Sequence, residues 1–548
     1  MAESPQRFQI KIDSILGGHS RTTHFASGNQ FRASVGIDPG SPLPGSSGSL
    51  YSSSIYNVKP SGLIRPTQGN SLTGTMNRTP YWIEGARSTT TIFVFDSRGS
   101  VYTHSVGEPT FTNLADIGAT TGSGNGMAYY DGYMYFATDT DIARYGPLDG
   151  SATPGWVENY WQDILPMTSL ESASYPYTLL PSGTSVQLPN HYLHTHSDGR
   201  LYIADSTSNR GYIHFIQTTG GGSGGSSSTY QALALPTGLV PICMESLGAN
   251  LVIATYDRNS AASSTNYGIR NKNGRAKIAF WDTLSQNINS ITWVEFPDAL
   301  ITAMKNVNGK LYVFSAPAEK TNGFRVSQYV GGYTFEEIWS SEEALAPLPG
   351  AVDGTSSRLV FGSYTLTPKS TGCVYSLGLS ASGISNGIFC PFASSTADNA
   401  MVTALMLPVN SARGKGWDYP VFGSSDFSSI YRLENIDGAS NCNATWWSQV
   451  FRIGQRYKIT KIRIPLAEPL TAGTTIVPKI YTDDGFGTAY ALTSLTSANF
   501  GTTKRNIVFH PVNLTGESNF WFELSWSASY PLAIGLPITI EYELVTDD

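Results

Sequence analysis

The chain is short of charge. Of its 548 residues only 14% are Asp, Glu, Lys or Arg, against roughly 25% in ordinary soluble domains. That shortage argues against charge-laced amphipathic helices as the building material. Lys and Arg number 34 against 41 acidic residues, a net charge of -7, so there is no electrostatic footprint for nucleic acid. Four cysteines cannot make a disulfide scaffold. Cys373 and Cys390 are spaced to lie on neighbouring strands, and small buried hydrophobes is the simpler reading of all four. No run of 18 apolar residues occurs, which excludes a membrane-spanning helix. The opening "MAESPQRFQIKID" has neither the basic start nor the apolar stretch of a secretory signal, so synthesis in a cytosol without membrane insertion is expected.

What the chain has instead is Gly (55), Pro (30), Tyr (30) and much Ser and Thr, the composition of an all-β protein with many turns. Its length asks for more than one core. One octet recurs: "DGRLYIAD" from Asp198, "DGYMYFAT" from Asp131, "GANLVIAT" from Gly248, "NGKLYVFS" from Asn308 and "SSRLVFGS" from Ser356. Looser copies are "TTIFVFDS" from Thr90 and "WDYPVFGS" from Trp417. In each, a turn precedes a short apolar strand, and Asp198 and Asp205 read as hairpin-end residues. A second apolar strand lies upstream ("GMAYY", "HYLHTH", "ICMESL") and a third downstream ("DIARYG", "GYIHFI", "AKIAFWD"). Several units add a Trp-bearing fourth strand, as in "GWVENYW". A lone meander of this kind is marginal, whereas copies packed radially bury one another. The pattern predicts a β-propeller of about seven blades over residues 61–440.

Residues 1–60 differ. Their Gly, Ser and Pro content resembles a linker, yet Ile37, Leu43, Leu50, Tyr51, Ile55, Tyr56 and Val58 supply more apolar anchors than a solvated tail needs. An extended N-terminal arm that docks on its own propeller or on a neighbouring subunit is expected. The run "TTGGGSGGSSSTY" (218–230) is expected as a surface loop between the third and fourth strands of a blade. Beyond residue 440, "YKITKIRIP", "TIVPKIYTDDG", "RNIVFHPV", "FWFELSWS" and "PITIEYELV" alternate without repeating. Residues 441–548 therefore read as a jelly-roll-like β-sandwich, with 444–451 assignable to either domain.

No catalytic constellation is visible. His194 and His196 share a strand face and are the weak metal candidates, but no Asp, Glu or Cys at short spacing completes a tetrahedral site. Neighbouring carboxylates occur at Asp139 and Asp141, Asp483 and Asp484, and Glu336 and Glu337; Asp139, Asp141 and Asp484 read as turn and hairpin-end residues. Sialidase boxes, WD40 and kelch repeats and a G-x-S-x-G elbow are absent. No cofactor is expected. Trp446, Trp447, Trp521 and Trp526, concentrated in the last domain, are the candidate glycan contacts.

The layout nevertheless has a relative. "ILGGHSRTTHFASGNQFRASVGIDPGSP", the degenerate "DGxLYxA" blades and "WWSQVFRIGQRYKITKIRIP…YTDDG…ELSW…IEYE" together resemble the large propeller-plus-sandwich structural proteins of tailed bacteriophages. The resemblance carries no catalytic residues. It implies a non-enzymatic virion subunit, tail-associated, made in the host cytoplasm and present in symmetric copies. Its implied partners are tail or neck subunits and copies of itself, with host-surface glycan as a further contact. The competing reading is a propeller glycan hydrolase or lyase, or a lectin, with a C-terminal carbohydrate-binding module.

Overall fold

A computed structural model describes residues 7–12, 57–59, 63–65, 70–76 and most of 78–545. The longer intervals outside the description are 13–56, 118–125, 219–225, 258–274, 392–400, 408–420, 434–441 and 483–488. Among the described residues, seven four-stranded antiparallel sheets follow one another. Six are continuous in sequence: blades 1 (80–116), 2 (126–157), 3 (193–237), 4 (239–295), 5 (300–341) and 6 (352–391). Blade 7 takes three strands from Val402–Met406, Val421–Ser424 and Ser429–Leu433, and its fourth from Asn70–Thr75. The first strands of successive blades touch in an unbroken cycle, which closes where Val402–Met406 meets Pro80–Gly85. The Thr403 hydroxyl seals that junction by donating to the Pro80 carbonyl at 2.5 Å. The chain is all-β, a seven-bladed propeller followed by a sandwich.

The recurring octet carries the second strand of each blade. At Asp131–Gly132 and Asn308–Gly309 both turn residues have positive φ, the type I′ geometry that matches strand twist. The apolar centre of the octet packs between sheets, as in the Phe95–Phe136 contact of blades 1 and 2 and the Tyr202–Trp281 contact of blades 3 and 4. Close approach sets the small residues. A Cβ on Gly362 would overlap Val402 of blade 7, and one on Gly423 would overlap Pro80 of blade 1.

The octet's last residue is a second regularity. Thr138, Asp205, Thr255, Ser315, Ser363 and Ser424 occupy it, and strand register gives Asp96 the same place in blade 1. All seven are buried. Thr255 donates to the Lys277 carbonyl at 3.0 Å, Ser315 to Asp298 at 2.5 Å, and Ser363 to the Leu345 carbonyl. A polar group at this depth is stable only when so paired. Asp205 is thus no hairpin end. It lies inside the strand Arg200–Ser206 and is 1% exposed. Asp198 does cap its turn, accepting from the Arg200 amide and the Tyr202 hydroxyl.

The C-terminal sandwich has two sheets. One orders Arg7–Ile12, Ile538–Leu544, Tyr457–Pro465 and Asn506–Phe509; the other orders Cys442–Trp447, Asn519–Ala528, Thr474–Thr482 and Tyr490–Ala491. Residues 442–447 thus pair within the sandwich rather than in the last blade. Buried and less buried residues alternate along Thr474–Thr482, as a half-solvated sheet requires. The edge strand Arg7–Ile12 changes the expected role of the N-terminus. It pairs with Ile538–Leu544, Phe8 stacks on Tyr542 at 5.5 Å, and Arg7 meets Glu543 at 2.8 Å. This part of the expected arm completes the chain's own sandwich. The anchors Ile37, Leu43, Leu50, Tyr51, Ile55 and Tyr56 lie outside the described residues. Farther on, Asn57–Lys59 and Leu63–Arg65 form a small sheet with Ile534–Gly535.

The strand after the glycine-serine run begins at Ser226, so that run lies between the third and fourth strands of blade 3 and its last residues are already strand. Cys373 and Cys390 sit on paired strands, with Cys390 opposite Val374.

Candidate functional site

The largest departure from the blade rhythm is residues 158–192, between blades 2 and 3. This insertion holds a π-helical turn, Tyr160–Ile164, and a hairpin of Tyr177–Leu179 with Ser185–Gln187. It is docked by two buried aspartates. Asp141 Oδ1 accepts from the amides of Ile142 at 2.6 Å and Trp161 at 3.0 Å. Burial pushes this carboxyl above the ordinary aspartate range, and those amides oppose the shift. Asp141 was expected at a turn; it is 4% exposed and serves as the socket for the inserted turn.

Asp205 is the second socket. Its Oδ1 accepts from the Glu171 amide at 3.1 Å and the Ser206 amide at 2.7 Å. Its Oδ2 lies 3.0 Å from His214 Nε2. The tautomer of His214 follows from its other nitrogen. Nδ1 accepts from the Gln231 amide at 2.7 Å, so Nε2 carries the proton and donates to Asp205. A bulge opposite His214 and a positive φ at Gln231 present that amide, an instance of a bulge re-aiming a group. Tyr230 covers the imidazole, stacked at 4.6 Å and 7°.

On the other side, His191 Nδ1 is 3.6 Å from Asp205 Oδ1, and its two nitrogens face the Ala204 and Asp139 carbonyls at 3.2 and 3.0 Å. The ring thus lies between two carbonyl acceptors and the Asp205 carboxylate. Burial alone would raise the Asp205 carboxyl. The His214 hydrogen bond, the nearby His191 and the Glu171 amide outweigh it and hold the group below the ordinary aspartate value.

His194 and His196 belong to a separate network on the inner strands. Both rings reach the Ser246 hydroxyl at 2.8 Å. His196 Nε2 faces the Ala249 carbonyl at 3.3 Å. Its Nδ1 therefore accepts from the serine, which accepts in turn from His194 Nε2. Burial lowers the His194 pKa, helped by His196 and Lys305 and opposed by Glu245 at 3.7 Å. Asn306 donates to the Ser246 carbonyl at 2.6 Å. Lys305 pairs with Asp353 at 3.0 Å, and Asp353 also accepts from the Leu407 amide. The chain of contacts crosses blades 3 to 6 and ends beside blade 7. Among the described residues, no three His, Cys, Asp or Glu side chains gather as a metal site would require.

Two of the four candidate glycan contacts are interior. Trp521 is 4% exposed and lies parallel to Tyr481 at 5.1 Å; Trp526 is 2% exposed and donates to the Leu532 carbonyl. Neither offers an exposed face for a sugar ring. The side chains of Trp446 and Trp447 lie outside the described residues. Beside Trp521, Glu523 accepts from Lys479 at 2.8 Å, Tyr481 at 2.6 Å and Ser525 at 2.5 Å. Burial opposes ionisation of Glu523, yet these hydrogen bonds bring its carboxyl below the usual glutamate range.

The buried His–Asp–His arrangement was missed in the sequence because its members come from two strands and the end of a long insertion. A usable signal was present: the octet's last residue is always Ser, Thr or Asp.

No family model matches the chain, and no curated protein does. Among solved structures, the Pan2 WD40 domain of Neurospora crassa aligns at 10% identity and a TM-score of 0.37, covering 67% of this chain and 97% of that one. The β-propeller domain of Cps50 (Swd1) from Myceliophteria thermophila aligns at 9% identity and 0.39, covering 67% and 100%. A putative 6-phosphogluconolactonase from Bacteroides uniformis gives 11% and 0.37, covering 62% and 89%. These values are too low to carry any functional argument.

Proposed function

We propose that the chain is a non-enzymatic structural subunit of a tailed-phage virion, tail-associated, assembling in symmetric copies and contributing to host-surface contact. One observation supports this reading best. The side chains that chemistry would recruit (Asp141, Asp205, His191, His214, His196 and Glu523) are buried and engaged in internal hydrogen bonds. They tie insertion to blade, blade to blade or strand to strand. A scaffold that holds its shape uses polar groups in this way, whereas a catalytic site leaves one free toward a substrate. The sequence resemblance to phage propeller-plus-sandwich proteins adds to it. Symmetric assembly through repeated contacts is assigned to residues 13–56, which carry the six apolar anchors.

The test replaces residues 13–56 with a flexible Gly-Ser linker while keeping Arg7–Ile12 in its sheet. The expected result is a folded chain that no longer enters particles, scored by mass spectrometry of purified virions. Normal incorporation would remove the segment from assembly. Release of reducing sugar from host-envelope glycan by the purified chain would remove the non-enzymatic reading.

A further inference from the structure

We infer that Arg144 anchors a binding subsite for a carboxylate, at the seam where the insertion covers blade 2. Arg144 lies on the third strand of that blade, Ile142–Gly146, directly across from Tyr135. Its guanidinium carbon is 4.2 Å from the Tyr133 ring centre and 4.0 Å from that of Tyr160. Tyr160 reaches it from the inserted turn and is itself 1% exposed. Arg144 is half-buried, and among the described residues no carboxylate pairs with it. Below it lies the fully buried Tyr135 hydroxyl, close enough to interact with the Arg144 guanidinium.

This geometry restricts what the cation can bind. Aromatic rings engage the guanidinium by its faces, which leaves its in-plane N–H edge. That edge is a rigid fork matching a planar group with two oxygens. The surrounding turns carry Asp131, Asp149 and Glu158, all exposed. They disfavour a dianion such as phosphate more than a singly charged carboxylate. Resting on the host-contact part of the reading above, the carboxylate is assigned to a sugar acid, a uronate or sialate unit of an envelope polysaccharide. The subsite belongs to the propeller, whereas Trp521 and Trp526 belong to the sandwich.

The experiment is calorimetric titration of the full chain with sodium glucuronate, N-acetylneuraminate, acetate, inorganic phosphate and neutral glucose. The same titrations are run on Arg144→Gln and Arg144→Lys, with thermal melts confirming that both variants fold. The sugar acids are expected to bind, glucose not, and Arg144→Gln to weaken binding at least tenfold. Arg144→Lys keeps the charge but loses the fork, and should weaken it nearly as much. Equal binding by wild type and Arg144→Gln would overturn the subsite. Acetate or phosphate binding as tightly as the sugar acids would overturn the sugar-acid assignment. Particle incorporation of Arg144→Gln, measured separately, reports on the structural reading alone, since Arg144 has no assigned part in assembly.

Discussion

Asp205 draws two strands and an insertion onto one carboxylate. Its replacement by Asn keeps the shape but sets an NH2 group against either the Glu171 and Ser206 amides or His214 Nε2, all of them donors. Leaving a buried donor without its acceptor costs about 1–3 kcal/mol. A shift of the guanidinium midpoint toward lower concentration at unchanged slope is the expected readout. The carboxyl also sets a pH dependence. Because it sits below the ordinary aspartate value in the folded chain, its contribution is fully present above about pH 4. It is lost as pH falls from there through the folded-state value. Asp205→Asn should flatten the acid limb of a stability-versus-pH curve; an unchanged limb would assign that limb to other carboxylates. At the seams, Gly362→Val should destabilise by about 1–3 kcal/mol through overpacking against Val402, read in the same titration.

At the scale of elements, the strand Asn70–Thr75 does what no octet does: it joins the first part of the ring to the last. Replacing Leu72 with Pro removes a ladder donor and distorts this strand. Limited proteolysis should then cut first in blade 7, while blades 3 to 5 stay protected; uniform protection would mean the ring does not depend on this closure. The octets were readable because every blade needs the same turn, the same apolar centre and the same buried polar end. "NSLTGT" was not, because a closing strand carries no turn signature of its own and its partners lie more than 350 residues away in sequence. The inserted turn was equally opaque. Tyr160 and Trp161 look like another Trp-bearing strand until Asp141 and Arg144 are seen to hold them. The candidate histidines were visible as a cluster, but Ser246, which joins them, stands one blade further on.

Over the whole molecule, each of the two domains is completed by a segment from early in the chain. The sandwich takes Arg7–Ile12 and the propeller takes Asn70–Thr75. Deleting residues 1–12 should therefore weaken the sandwich without opening the propeller. Scanning calorimetry would show the transition reported by sandwich tryptophan fluorescence moving down while the other stays. Joint loss of both transitions would mean that the domains unfold as one unit.

The pairing of Arg7–Ile12 with Ile538–Leu544 also sets a clock. At the usual pace of translation, about 5–20 residues per second, the first strand leaves the ribosome about half a minute to two minutes before its partner exists. Through that interval an unpaired apolar strand edge is open to other chains. Synthesis of this protein is thus a period of exposure that ends only when Ile538–Leu544 has emerged, and its yield should depend on what shields Arg7–Ile12 while it waits.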